Sequence, residues 1–261
     1  MFRSLFLALP LVFTLSACQF FGDKVDPQKS WTVEQFYKEA KDELNAGNNQ
    51  AAIKLYEALE AKYPFGKYAQ QSQLDIAYAQ YRDGDTTQAA ASCDKFIKLH
   101  PNHQNVDYAL YLKGLAFFKP DFGILGSVFN LDQAERDPKA LRESFDVFKD
   151  LVIRFPESRY VDDSRSRMGF LVNSLAKHDL AAARYYLERG AYLAAVNRAQ
   201  NILQRYPQAP ALEGALEVTV AGYEKMGMKD LATDNRRVLQ KNFPANKSES
   251  ATEKSAWWKV W

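Results

Sequence analysis

Five times along this chain, an aromatic residue or a histidine is followed by proline at the end of an amphipathic stretch. The pairs are Tyr63-Pro64, His100-Pro101, Phe155-Pro156, Tyr206-Pro207 and Phe243-Pro244. Proline cannot continue the hydrogen-bond ladder of a helix and restrains the residue before it, so each pair predicts the end of a helix. The recurrence of this signal predicts a series of similar helical units.

Four of the five segments also share a register of small residues before the proline. The turn positions are Gly47, Gly84, Gly190 and Gly227, and the positions five residues later are Ala52, Ala89, Ala195 and Ala232. Glycine can take the positive φ of a tight turn, and alanine lets two helices pack closely. The pattern therefore predicts an all-α fold, a tetratricopeptide-repeat superhelix of about five helical hairpins. Such superhelices expose a concave surface that binds other polypeptides.

The intervals between successive prolines are 37, 55, 51 and 37 residues, so the second and third contain extra sequence. In the second interval, an insert separates a helix at about 105–118 from one at about 138–155. Its apolar part, residues 119–131, is expected to pack on the concave face. In the third interval, an additional helix at about 159–177 is predicted before the fourth pair. The total is about eleven helices, and the superhelix is expected to span residues 33–244.

Residues 1–17 have the features of a bacterial export signal. Arg3 supplies a positive start, residues 5–15 are apolar, and Leu15-Ser16-Ala17-Cys18 matches the lipobox around a lipidated cysteine. An uncleaved membrane helix is disfavoured because the apolar run is shorter than the roughly 20 residues that a bilayer requires.

By resemblance to bacterial lipoproteins, Cys18 is expected to become the lipidated first residue of the mature chain. Residues 18–32 would then form a linker to the first helix. Gln19 replaces the Asp that favours inner-membrane retention, so the resemblance implies the periplasmic face of the outer membrane. The other cysteine, Cys93, falls on a helix-packing position and is expected to be a small buried residue.

Composition and motifs give no support for catalysis. The net charge of +2 offers no electrostatic case for nucleic-acid binding. Of the three histidines, His100 and His103 flank Pro101, with no third His or Cys at metal-ligand spacing, and phosphate-binding and nucleophile motifs are absent from the sequence. The chain is therefore expected to be a non-enzymatic binding protein without metal or cofactor.

The C-terminal tail, residues 245–261, combines a polar stretch with a tryptophan-rich end. Asn246 to Ser255 is rich in Lys, Ser and Glu, which is typical of a disordered linker. Trp257-Trp258-Lys259-Val260-Trp261 contains three of the four tryptophans of the chain. Two alternatives remain open: this end docks on a partner or the membrane surface, or it folds back on the last helix pair.

Several segments of the chain resemble the BamD family of outer-membrane lipoproteins. The similar segments include Phe145-x-x-Phe148-x-x-Leu151, Arg154-Phe-Pro-x-Ser158-x-Tyr160 and Tyr185-Tyr186-Leu-Glu188-Arg189-Gly190, which continues to Asn197-Arg198. The resemblance covers roughly residues 18–244. It implies a scaffold of the machinery that assembles outer-membrane β-barrels. The expected partners are a BamA-like barrel subunit, small Bam lipoproteins and unfolded outer-membrane proteins. An alternative is a different periplasmic tetratricopeptide lipoprotein that coordinates cell-envelope synthesis or division.

The resemblance also implies two groups of binding residues. The expected contacts with the BamA-like partner are Tyr185, Glu188, Arg189, Asn197 and Arg198. The alternative for Arg198 is an ion pair within the chain, for example with Glu188. The two adjacent tyrosines at 185 and 186 cannot both face the core, so one is expected to pack and the other to be exposed.

The client-binding residues are expected at the end of the first repeat and the start of the second. They are Tyr63, Phe65, Gly66 and Tyr68. An extended client that ends in an aromatic residue could find apolar pockets there. The alternative for each residue is ordinary packing between neighbouring repeats.

Overall fold

In a computed structural model, the described residues are 30–118 and 138–244, and they form ten α-helices. The helices are α1 (Val33–Ala46), α2 (Asn49–Lys62), α3 (Lys67–Arg82), α4 (Thr86–Leu99), α5 (Val106–Phe117), α6 (Pro138–Arg154), α7 (Val161–Glu188), α8 (Tyr192–Arg205), α9 (Leu212–Lys225) and α10 (Lys229–Asn242). Each helix packs against the next one along the chain, and α1 also contacts α3, α3 contacts α5 and α7 contacts α9. The chain therefore forms a superhelix of five helical hairpins, which confirms the predicted fold class.

The turns inside four hairpins adopt the conformation that their sequence predicts. Gly47, Gly84, Gly190 and Gly227 have φ values of 87°, 85°, 80° and 75°. Residues with a Cβ atom rarely adopt this left-handed conformation, which explains why glycine occurs at each turn. Five residues later, the predicted alanines are buried where the two helices of a hairpin meet. These repeat positions are confirmed.

In the third hairpin, a glycine inside a helix provides the close approach between α5 and α6. A Cβ atom added to Gly114 would lie 2.5 Å from the ring of Phe148. The side chain of Ser144 donates a hydrogen bond to the carbonyl oxygen of Gly114 at 3.0 Å. The phenyl ring therefore packs directly on the backbone of the neighbouring helix, where no side chain could fit.

The prediction of a separate helix at about 159–177 is wrong. The structure has one continuous helix of 28 residues, α7, where the repeat pattern predicted two. No proline interrupts this stretch, and its buried residues continue across the expected break, with Ala176, Asp179 and Ala183 on one face. The repeat spacing predicted that one helix ends near residue 177 and another begins after it. A helix-breaking residue would be needed to end the helix at that point, and the stretch contains none.

The beginning of α1 is fixed by hydrogen bonds to the neighbouring helix. The carbonyl oxygen of Trp31 accepts hydrogen bonds from the Tyr63 hydroxyl at 2.8 Å and from the Lys62 ammonium at 3.0 Å. Thr32 and Gln35 form a capping box. The predicted export signal, Cys18, the insert at 119–131 and the tail at 245–261 lie outside the described residues. Within the described ranges, no helix has the length and apolarity to span a bilayer.

Candidate protein-interaction surfaces

The first candidate surface lies where α7 ends and α8 begins, and we call it the α7–α8 face. It comprises the exposed residues Tyr185, Glu188, Arg189, Leu193 and Asn197 together with the half-exposed Arg198. Gly190 turns the chain between the two helices, so residues from the last turn of α7 lie beside the first turns of α8. All five residues that the resemblance assigned to the partner site therefore lie on this pair of adjacent helices and the turn between them.

The two adjacent tyrosines divide as predicted. Tyr185 is 54% exposed, whereas Tyr186 packs against the core cluster that contains α7 and α8. The guanidinium of Arg189 lies over the ring of Tyr185, 5.2 Å from its centroid. This cation–π contact holds an aromatic ring and a positive charge together at the surface.

Leu193 is a further exposed residue of the α7–α8 face, and the family resemblance did not single it out. Its side chain is 63% exposed on the first turn of α8. Its position two residues before buried Ala195 could have revealed it, because residues two positions apart on a helix point in nearly opposite directions. The face is therefore partly apolar as well as cationic.

Arg198 forms an ion pair within the chain, but with Asp179 rather than with Glu188. Its Nη1 atom donates a hydrogen bond to Asp179 Oδ1 at 3.2 Å. The other oxygen of this buried carboxylate accepts a hydrogen bond from the Tyr206 hydroxyl at 3.2 Å. Burial, together with the neighbouring carboxylate, raises the pKa of Tyr206 above its usual value, so the phenol remains a neutral donor.

The Asp179 contact leaves much of the Arg198 guanidinium available to a partner. The arginine side chain is 43% exposed, and only one of its five N–H donors is used in this bond. A planar guanidinium can bind a second carboxylate through its outer edge while it keeps the first. The geometry is thus compatible with both roles considered for Arg198.

The second candidate surface surrounds the turn between α2 and α3. Phe65 is 90% exposed, and the following Gly66 has a φ of 98°. Tyr63 lies 6.5 Å from the ring of Phe36, and Tyr68 lies 5.2 Å from the ring of Tyr37. Of the three predicted aromatic residues, Phe65 alone projects into solvent, while Tyr63 packs within the first hairpin and Tyr68 packs between the first and second hairpins.

A buried carboxylate that sequence reasoning missed supports this second surface. Asp75 accepts hydrogen bonds from the Tyr37 hydroxyl at 2.8 Å and from Gln71 at 3.1 Å, and Lys41 lies 3.7 Å away. Burial is the main cause that raises the pKa of Tyr37 above its usual value, and the negative charge of Asp75 raises it further. The network fixes the ring of Tyr37 and, through ring contact, that of Tyr68.

Neither surface has the arrangement of a metal or catalytic centre. Among the described residues, no group of three or more His, Cys, Asp or Glu side chains could hold a metal ion. His100 forms a hydrogen bond with Gln73 at 3.1 Å and packs against Phe96. What the described residues offer is aromatic and cationic contact area on a rigid helical frame. This combination is typical of protein-binding surfaces.

Comparison with known proteins agrees with this class of helical-repeat scaffold. A family model described as "Outer membrane lipoprotein" (YfiO) matches residues 29–239. The outer membrane protein assembly factor BamD of Neisseria meningitidis serogroup B is 44% identical over 266 residues, covering 99% of both chains. BamD of Vibrio cholerae serotype O1 is 37% identical over 236 residues, covering 90% of this chain and 95% of that protein.

The chain therefore belongs to the outer membrane lipoprotein family that includes these BamD assembly factors. Its curated relatives are named as assembly factors rather than enzymes. A crystal structure of MamA protein matches at a TM-score of 0.39 and 15% identity, covering 86% of this chain and 96% of that chain. A similarity of this size carries no weight for function.

Proposed function

We propose that this chain is a lipid-anchored scaffold in the assembly of outer-membrane β-barrel proteins. The α7–α8 face binds a BamA-like barrel subunit, and small Bam lipoproteins dock on the same superhelix. Cys18 carries the anchor and holds the chain at the periplasmic face of the outer membrane. Family membership supports this role, because relatives of nearly equal length are named outer membrane protein assembly factors.

The observation that carries the proposal is the composition of the α7–α8 face. Tyr185 is exposed against the guanidinium of Arg189, and α8 adds the exposed Leu193 and the half-exposed Arg198. A hairpin has no packing requirement for exposed side chains of this kind, whereas aromatic residues and arginine dominate protein interfaces. A partner that presents a carboxylate flanked by apolar residues would match this face.

Replacement of Arg198 by glutamine tests this assignment. Glutamine keeps a donor for Asp179, so folding is retained, whereas glutamate would place two carboxylates together. Recovery of the barrel subunit by affinity purification from membranes is expected to fall roughly tenfold or more, because loss of an interfacial charge pair costs on the order of 2 kcal/mol. Arg154→Gln is the matched control, since Arg154 is 40% exposed and pairs with Asp150 at 2.9 Å. Equal recovery with both variants would remove Arg198 from the interface.

We further propose that Phe65 is the primary contact for unfolded clients, with Tyr63, Gly66 and Tyr68 shaping the surface beneath it. Phe65→Ser is expected to weaken binding of a labelled peptide with a C-terminal aromatic residue about tenfold. Burial of a phenylalanine side chain contributes about 1.5–3 kcal/mol. Fluorescence anisotropy measures the affinity, and Leu99→Ser, at a residue 54% exposed elsewhere, is the control. Unchanged affinity in the Phe65 variant would place the client elsewhere.

A further inference from the structure

A cavity of about 500 Å³ lies between α6, the first half of α7 and the turn that joins α8 to α9. Its walls are largely apolar and include Phe145, Val152, Met168 and Val172. This volume lies within the range of small-molecule and side-chain binding sites, about 300–1,000 Å³. None of these residues belongs to either candidate surface described above.

Three polar groups give the cavity a specific chemistry. The Oδ1 atom of Asn173 is buried and has no hydrogen-bond partner among the described residues. A buried acceptor without a donor is unfavourable by about 1–3 kcal/mol, so the cavity favours an occupant that carries an N–H or O–H group. The side chains of Arg165 and Arg205, which end in guanidinium groups, also line it.

An indole ring complements all of these features. It is a large apolar aromatic ring, it carries one N–H donor and no acceptor, and its faces attract guanidinium groups more strongly than those of other aromatic residues. Apart from Trp31, every tryptophan of this chain lies in the tail, at positions 257, 258 and 261. The chain itself therefore contains suitable occupants.

The tail can reach the cavity from where the described residues end. Because successive helices are antiparallel, α10 ends near the start of α9, at the same end of the superhelix as the turn at 206–211 that contributes to the cavity. Two interhelical spacings of about 10 Å separate α10 from α8. The twelve residues 245–256 can extend over roughly 40 Å, which exceeds this separation.

We propose that the segment Trp257–Trp261 docks into this cavity. One indole ring enters between α6 and α7, and its Nε1–H donates a hydrogen bond to Asn173 Oδ1. Arg165 and Arg205 lie against the exposed faces of the tryptophans. This inference is independent of the proposed function, since it concerns contact within one chain and requires no assembly partner.

Tryptophan fluorescence of the full chain carrying Trp31→Phe tests the proposal, because all emission then comes from the tail. Docking is expected to shift the emission maximum to shorter wavelength and to reduce quenching by acrylamide relative to a free peptide of residues 254–261. Met168→Lys introduces a charge into the cavity and is expected to restore the emission and quenching of the free peptide. Leu99→Lys, at an exposed apolar position on α4, is expected to change neither.

A second measurement does not depend on the tolerance of the core to a lysine. The labelled peptide of residues 254–261 is added to the chain truncated after Ser255, and its binding is followed by fluorescence anisotropy. Asn173→Leu is expected to weaken this binding about fivefold to tenfold through loss of one hydrogen bond. Absence of peptide binding, or tail fluorescence identical to that of the free peptide, would overturn the proposal. If the Met168→Lys variant folds and its tail fluorescence equals that of the unsubstituted chain, the tail docks at another site.

Discussion

Asp179 connects the interior of the superhelix to its exposed α7–α8 face. It is buried on α7, and its two oxygens accept hydrogen bonds from Arg198 and Tyr206. The arginine is thereby oriented in the free chain, and in the partner role proposed for it this orientation would reduce the conformational entropy lost on association. The sequence contains 32 acidic residues and offers no pattern that distinguishes this one, so only the folded structure identifies it.

Replacement of Asp179 by alanine is expected to lower the free energy of unfolding by about 1–3 kcal/mol. The Tyr206 hydroxyl would lose its buried acceptor, whereas the half-exposed Arg198 would be rehydrated and contribute little to the loss. Urea denaturation followed by circular dichroism measures the change. Asp150→Ala is the control, because this exposed residue pairs with Arg154 on the surface and should change stability by less than about 0.5 kcal/mol. Equal effects of the two variants would contradict the role assigned to Asp179.

Cys93 is buried as predicted, and its titration should affect stability at alkaline pH. Burial is the main cause that raises the pKa of the Cys93 thiol to about 12. In the unfolded chain, the thiol loses its proton near pH 8.5–9, so the folded state binds more protons above that range. The stabilising contribution of the protonated Cys93 thiol is therefore fully present below the pKa of the unfolded chain. It is lost as the pH rises from about 9 towards 12.

Between pH 8 and 10, the free energy of unfolding of the native sequence is expected to decrease by about 1–2 kcal/mol more than that of Cys93→Ala. Urea titrations of both proteins at the two pH values measure this difference. Tyrosine titration contributes equally to both proteins and cancels in the comparison. Parallel pH dependences would show that the thiol ionises in the folded state as readily as in water.

At the scale of helices and turns, the hairpins depend on backbone conformation at single glycines. Gly190 has a φ of 80°, and an added Cβ would meet no atom closer than 4.0 Å. Any cost of substitution there therefore comes from backbone strain rather than from steric clash. Gly114 is the opposite case, since its φ is ordinary and the Phe148 ring occupies the space beside it.

Gly190→Val is expected to lower the free energy of unfolding by about 1–3 kcal/mol, because a β-branched residue is disfavoured in the left-handed region. Gly190→Asn is the matched control and should cost less than about 1 kcal/mol, since asparagine tolerates this conformation. Thermal unfolding of both variants provides the comparison. If valine and asparagine destabilised the protein equally, the positive φ would not be the requirement at this turn.

The fold of the whole molecule could be predicted because its signals are local and repeated. Each proline ends a helix through its own ring, and each turn glycine is required by its own φ, so neither depends on distant contacts. The continuity of α7 escaped prediction for a related reason. The repeat template assumed a break, but the residues around Lys177 and His178 contain no breaker.

The candidate sites were predictable only in part. The sequence indicated which residues resemble a partner surface, and the structure shows Arg189 over the ring of Tyr185 and Arg198 paired with Asp179. The tyrosines that donate to the buried carboxylates of Asp75 and Asp179 could not be predicted, because they are distant from these carboxylates in sequence. The cavity beside Asn173 is likewise formed by three separate segments, and nothing in any one segment signals it.

Because α7 is one continuous helix, its length fixes the rotation about the helix axis between its first half and its last turn. Its first half forms a wall of the cavity at Met168 and Val172, and its last turn presents Tyr185. Insertion or deletion of one residue between them would rotate one half relative to the other by about 100° and shift it by about 1.5 Å. Length variation in this helix would thus misalign the C-terminal hairpins with the rest of the superhelix, whereas amino-acid exchange on its solvent side would not.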